Sequence, residues 1–365
     1  MIRTRRGRVL SITDERPGIT ELLVECEGAE FRAVNYDRLT GRPEPGDNVI
    51  LNTTAVHKAL GTGGYHFVIA NYSSPDRDTA EPGHIMKLRY TPLQVKVLAA
   101  EEEESPISER IRETNSLEGM PVVIGGLHSH LGPFAAALSE IRPGLRLVYL
   151  MTDGAALPLA FSRTVDELRA RDLLAATVTC GHAFGGDFEA VNAYSGLLTA
   201  RALGADVVIV AMGPGIVGTG TRFGHTGVEQ GQMINAVASL DGRPVVIPRI
   251  TFADKRPRHQ GISHHTLTAL RYVTLAPADI AIPVLPEEQQ QQVLDQVDQF
   301  ELRTRHRVVV KDGSAALAGM ARHGLRVTSM GRGVDQIPEF FLAAGAAASL
   351  TVGMLSGSHT TTGPS

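Results

Sequence analysis

At 365 residues the chain exceeds the usual span of one domain, about 100 to 200 residues, so two domains are expected, with one large α/β domain as the alternative. It is 43% hydrophobic and 20% charged, enough to bury a core; a net charge of −4, no Trp and 5% aromatics argue against nucleic acid, against an anionic membrane surface and against stacking on bases or sugars. No run reads as a membrane span or a secretion signal, and Cys26 and Cys180 form no paired pattern, so a reduced, cytoplasmic protein is expected.

Residues 1–85 read as a small β domain. The runs "GRVLSI", "TELLVECE", "AEFRAVNY", "NVILNT" and "YHFVIANY" are short and rich in Val, Leu and aromatics, and turn signals such as "ERPG" and "GRPEPGD" separate them. Five such runs with no helix between them predict a barrel or sandwich. "SSPDRDTAEPGH" (Ser73–His84) is polar and proline-containing and reads as a linker, and "EEEESP" (Glu101–Pro106) as a solvated loop.

Residues 86–350 have another texture. Seven apolar runs, "PVVIGGL", "RLVYLM", "AATVTC", "DVVIVAM", "PVVIP", "DIAIPVL" and "HRVVVK", alternate with helix-like stretches from "GPFAAALSEI" to "GSAALAGMARHG". Near-continuous Val, Ile and Leu is the pattern of strands covered on both faces, and the alternation implies crossovers in a mainly parallel sheet. A Rossmann-like, doubly wound α/β domain is therefore predicted, with a closed eight-fold barrel as the alternative. Residues 351–365 are small and polar and read as a flexible tail.

Open α/β sheets bind ligands beyond the carboxyl ends of their strands. Met212–Gly227, "MGPGIVGTGTRFGHTG", follows the fourth apolar run and contains G-x-G-x-x-G at Gly213, Gly215 and Gly218. Three features argue against NAD or FAD: Pro214 removes a backbone N–H from the turn, the next helix starts only near His225 or Gly227, and Arg249 stands where an acid is expected. A broader reading keeps an anionic small molecule as partner. Backbone N–H groups and hydroxyls of Gly213, Gly215, Gly218, Thr219, Gly220 and Thr221 would receive a phosphorylated or similar group, with Arg222, His225 and Arg249 as charge partners. Alternatively, the glycines serve a tight packed corner.

A second constellation, His128, His130, Asp153, His182 and Asp187, lies after the first three strands and has the N/O donors of a divalent metal sphere. "HQGISHHT" (His259–Thr266), flanked by Lys255, Arg256 and Arg258, reads either as a mobile lid carrying positive charge or as an exposed basic loop. Cys180 beside His182, and Ser129 between two histidines, lack the geometry of an activated nucleophile.

"SLEGMPVVIGGLHSHLGP", "GHAFGGDFEAVNAYSGL" and "ADVVIVAMGPGIVGTGTRFGHTG" resemble the signature segments of an uncharacterised bacterial family, domain of unknown function 3866. The resemblance extends over almost the whole chain and implies no reaction, ligand or site residue. Three functions stay open on the residues: an anion-binding enzyme or sensor, a metal-dependent hydrolase, and a non-catalytic scaffold; homo-oligomerisation is also left open.

Overall fold

Strands β1 (Thr4–Arg16), β2 (Ile19–Cys26), β3 (Ala29–Tyr36), β4 (Asn48–Asn52) and β5 (His66–Asn71) form a closed barrel in the order β1-β2-β3-β5-β4. The computed structural model describes residues 1–61, 63–78 and 81–357, and the chain divides into two compact units, Met1–Val97 and Leu98–Ser365. β1 closes the barrel because it is long and bulged: its first half pairs with β4 and its second with β2. Alternate residues point inward, so Val9, Leu22, Val24, Ala33, Val49 and Leu51 fill the interior. Gly7 sits where a Cβ would stand 2.5 Å from a Leu51 methyl. A short hairpin, β6 (Ile85–Lys87) with β7 (Val95–Val97), ends this unit. The linker expected at Ser73–His84 includes 79 and 80, which lie outside the described residues.

The second unit is built on eight parallel strands. They are β8 (Pro121–Gly125), β9 (Leu147–Thr152), β10 (Ala176–Cys180), β11 (Phe188–Ala190), β12 (Val207–Met212), β13 (Arg243–Ile247), β16 (Asp279–Pro283) and β17 (Arg307–Lys311); a two-stranded ribbon, β14 (Ile250–Thr251) with β15 (Gly261–Ile262), lies between β13 and β16 in sequence. The order is β11-β10-β9-β12-β8-β13-β16-β17. All residues of β8, β9 and β12 are buried, as their unbroken apolar character predicts. The Rossmann-like α/β sheet preceded by a β barrel is thus the architecture of this chain.

Helices α1 (Asp37–Thr40) and α2 (Thr54–His57) belong to the barrel unit, and α3 (Ser108–Glu113) opens the second. Of those that follow, α4 (Leu131–Ile141) and α5 (Arg163–Arg169) pack together, as do α6 (Ala193–Ala202) and α7 (Glu229–Ser239). α8 (His264–Thr268) runs on as a π turn over Ala269–Val273; α9 (Glu287–Gln299), α10 (Ser314–Arg322) and α11 (Pro338–Gly357) complete the unit.

Three expectations need correcting. Residues 351–357, read as tail, continue α11, because "TVGMLSG" extends the small apolar face of "FLAAGAAASL"; residues 358–365 lie outside the described residues. Pro338–Ser356 is long and apolar enough to cross a membrane by length and composition, although no such run was expected. Its Phe340, Phe341 and alanines 343, 344 and 346–348 are buried against α4, α10 and the sheet, as in a core helix. Third, the acidic run is not merely solvated: Glu101 accepts the Val191 N–H at 2.9 Å, and buried Glu102 accepts that of Ala99.

Candidate functional site

Because all eight strands are parallel, their carboxyl ends share one edge. The chain enters at β8, fills the sheet on one side through β9, β10 and β11, returns to β12 and then crosses β8 to β13 and the other side. The connection after β8 thus runs one way across the sheet and those after its neighbours β12 and β13 run the other, the reversal at which a crevice opens in such sheets. Buried Gln230 of α7 ties that point together, its amide donating to Ile124 O at 3.0 Å and to Ile247 O at 3.1 Å, at the ends of β8 and β13.

The glycine-rich loop after β12 is a hairpin. Gly218 and His225 form an antiparallel bridge, the Thr219 N–H donates to Gly224 O at 2.7 Å, and the Thr226 N–H to Val217 O at 2.9 Å. The threonine hydroxyls turn inward: Thr219 Oγ1 lies 2.9 Å from Thr221 Oγ1, and the Gly224 N–H donates to Thr221 Oγ1 at 3.2 Å. Much of the donor capacity expected to face an anion is thus spent within the loop. α7 begins only after a 3₁₀ turn, Thr226–Val228, so the glycines do not open its first turn.

These glycines make room instead. A Cβ at Gly218 would stand 3.0 Å from His225 Cβ and 3.3 Å from His265 Nε2; one at Gly227 would stand 3.1 Å from His225 Nδ1. A Cβ at Gly213 would overlap Ala156 O. Arg222 leaves the crevice, its guanidinium 4.8 Å above the Tyr272 ring.

The loop after β13 carries the charge. Buried Arg249 donates from Nη2 to Asp254 (3.4 Å), while its Nη1 lies 3.1 Å from His259 Nδ1 and donates to Ser263 Oγ (3.4 Å). Arg256 also pairs with Asp254, Nη2 to Oδ2 at 2.9 Å, and this hydrogen bond holds the carboxyl well below the usual range. Arg258 has no carboxylate partner among the described residues. Ser263 caps α8, its hydroxyl oxygen accepting the His265 N–H, and so fixes His264 and His265 in the first turn.

Between the two loops lies a cavity of about 190 Å³. It is lined by the apolar Leu127, Ile216, Val217 and Met330 and by Arg249, Arg256, Arg258, His259 and His265, with Gly218 and Thr219 of the hairpin; Met330 Sδ lies 3.6 Å from Arg249 Nη2. Behind it the imidazoles cluster: the His225 and His265 rings stack at 3.9 Å, His264 lies 4.3 Å from His265, and His259 4.8 Å from His264. Burial, with neighbouring positive groups adding, pushes His259 and His264 down to about 4 and His265 to about 3. At neutral pH these rings are uncharged donors of lone pairs. His225, His264 and His265 each offer a ring nitrogen within 4.8 Å of the others, the one group of three such side chains among the described residues.

The constellation of His128, His130, Asp153, His182 and Asp187 is arranged otherwise, with no three of its donor atoms brought together. His128 spends both ring nitrogens: Nδ1 is 3.1 Å from Tyr149 Oη, which itself donates to Ala211 O, and Nε2 is 2.6 Å from Ser162 Oγ. His130 stacks on Phe340 at 4.5 Å and is completely buried, which pushes it down to about 3. Asp153 accepts the His182 N–H at 2.9 Å. Asp187 accepts the Thr177 N–H and hydroxyl, each at 2.9 Å, and pairs with Arg169, pinning β11 to β10.

Of the nine residues expected around an anion, Gly218, Thr219 and Arg249 line the cavity and His225 stacks on a lining residue; Gly213, Gly215, Gly220, Thr221 and Arg222 do not line it. His259, His264 and His265 lay in the stretch read as a lid or an exposed basic loop, but His259 is buried and the other two are half-buried. A readable signal was Ser263, an N-cap residue type that places both following histidines in one helical turn. Of two larger depressions, one of about 720 Å³ lies at the amino ends of β13 and β17, around Arg243 and Arg307, and one of about 470 Å³ runs along β17 from Arg307 to Lys311 beside α11; both are away from the β8 crevice.

No curated protein matches the chain. A family model described as "Protein of unknown function (DUF3866)" matches residues 32–348, more than half of the chain, from within β3 of the barrel into α11, and the protein belongs to that family.

Proposed function

We propose that the α/β unit binds a small oxyanionic molecule, a phosphate ester or chemically similar group, in the cavity between the loops after β12 and β13. The observation that carries this reading is the charge balance of the wall. Three guanidinium groups line the cavity, Asp254 is the carboxylate paired with two of them, and Arg258 has none among the described residues. Guanidinium forks match the oxygens of phosphate and carboxylate and bind them in paired, charge-assisted hydrogen bonds. A volume of about 190 Å³ is below that of sites for drug-sized ligands, about 300 to 1,000 Å³, and favours a compact anionic head. The wall of Leu127, Ile216, Val217 and Met330 suits a short carbon portion.

The test is the thermal midpoint of the purified protein against increasing sulfate, inorganic phosphate and small phosphorylated compounds. A saturable rise is expected, worth about 2.7 kcal/mol at a hundred times the dissociation constant. Arg258→Gln should abolish the rise while leaving the ligand-free midpoint near that of the wild type, because it breaks no ion pair. A full rise in both Arg258→Gln and Arg256→Gln overturns the reading.

A further inference from the structure

We infer that His225, His264 and His265 form a binding site for one divalent transition-metal ion, of the zinc, cobalt or nickel type, beside the arginine-lined cavity. Their nearest ring nitrogens lie within 4.8 Å of one another, and metal–imidazole bonds of about 2.0 to 2.1 Å place tetrahedral ligands about 3.4 Å apart. The His225 and His265 rings are stacked with their planes 16° apart, so binding one ion requires the half-buried His265 to turn out of that stack until its in-plane lone pair meets those of His225 and His264.

Three further observations point to a ligand. First, His225 Nε2 lies 3.0 Å from Arg222 O; a carbonyl only accepts, so Nε2 carries the proton and Nδ1 presents its lone pair. A ring N–H held by a backbone carbonyl is how proteins fix and orient a metal-binding imidazole. Second, His225 Nδ1 and His264 Nε2 are both buried without a hydrogen-bond partner among the described residues, a cost that a metal bond would remove. Third, Gly227 and Gly218 leave open the space beside His225 Nδ1 and His265 Nε2 that any other side chain would occupy.

Three neutral imidazoles leave the ion its full positive charge, and an all-nitrogen set selects borderline first-row metals over calcium or magnesium. Three protein ligands also leave a tetrahedral position open. His265 lines the cavity as well as belonging to the triad, so that position adjoins the chamber walled by Arg249, Arg256 and Arg258. A cation there is repelled by the arginines until an oxyanion lies between them. Metal and oxyanion should therefore strengthen each other's binding by the same factor. This coupling rests on the proposed anion site; the metal site itself does not.

Protein expressed without a histidine tag, stripped with chelator and kept in phosphate-free buffer, is titrated with cobalt(II), following the visible d–d bands, and then with zinc in competition. One equivalent should bind. His264→Gln and His265→Gln should each weaken binding by about 100-fold, at least the effect of losing an outer-shell partner. Gly227→Ala keeps all three ligands but crowds His225 Nδ1, and should weaken it by about tenfold. His57→Gln, at an exposed histidine of the barrel unit, should change nothing. Circular dichroism of each stripped variant checks that it is folded. Absence of saturable binding, or affinity unchanged in folded His264→Gln and His265→Gln, overturns the metal site. Inorganic phosphate should then raise cobalt affinity in the wild type but not in Arg256→Gln. Cobalt binding that ignores phosphate keeps the metal site and overturns the coupling, whereas phosphate binding without cobalt binding keeps only the anion site.

Discussion

His130 shows how one buried ring sets a pH dependence for the whole α/β unit. Completely buried and stacked on Phe340, it has no hydrogen-bond partner for either ring nitrogen among the described residues, and burial takes its pKa from the ordinary 6.5 to about 3. Below pH 6.5 the unfolded chain takes up a proton at this position and the folded chain does not. Stability is therefore present above pH 6.5 and is lost as the pH falls toward 3, by about 1.4 kcal/mol per pH unit for one such histidine. His128, held at about 4 by burial, adds a second contribution with the same sign. We expect His130→Phe to reduce the pH slope of stability between pH 6 and 5 by about 1 kcal/mol per unit. Urea denaturation of wild type and variant at several pH values checks this; equal slopes would show that His130 titrates normally in the fold.

At the scale of elements, α11 illustrates a conflict between helix propensity and packing. Gly345 lies within this helix, where alanine would favour helix formation by about 1 kcal/mol. Yet a Cβ at Gly345 would overlap the Gly313 carbonyl, and one at Gly313 would overlap the Leu342 carbonyl, so the helix and the start of α10 cross backbone to backbone. Overpacking of this kind costs about 1 to 3 kcal/mol and outweighs the gain in propensity. Gly345→Ala should therefore destabilise the α/β unit by up to about 2 kcal/mol, as read from the urea midpoint. A gain in stability would mean that the crossing relaxes freely.

The elements themselves were legible to different degrees for physical reasons. The sheet strands β8, β9, β12 and β13 are apolar runs dominated by Val, Ile and Leu, because burial on two faces leaves that mark, and the barrel strands were legible as short Val-, Leu- and aromatic-rich runs between turn signals. β11 is three residues long and pinned by Asp187, so it has no periodic signal of its own. α11 was passed over because Ala and Gly, which make its close crossing feasible, also look like linker. At the cavity, Arg249 and His225 were legible from their places after strands. The imidazole cluster was not, since stacking of His225 on His265 joins two loops that only the sheet order brings together.

On the scale of the whole molecule, each compact unit holds one cysteine, and both are buried and outside any disulfide. Cys26 is 3% exposed inside the barrel and Cys180 is 3% exposed at the end of β10. A thiol reagent can reach either only when its own unit opens. The native protein should leave both unmodified over minutes, and rising urea should release two steps of labelling. Cys26→Ser should delete the barrel step alone. Rapid native labelling at either position would contradict the burial described above.

The cavity wall is assembled from Leu127 after β8, Ile216–Thr219 after β12, Arg249–His265 after β13, and Met330 between α10 and α11. No stretch of neighbouring residues contains it. A ribosome must therefore have released nearly the entire chain before any ligand can find a place to sit, and a folding intermediate lacking β8 between β12 and β13 has no pocket to offer. A ligand of the proposed kind would therefore act as an inspector of finished molecules: it would draw only completed sheets out of the pool of partly folded ones, with a bias set by its concentration.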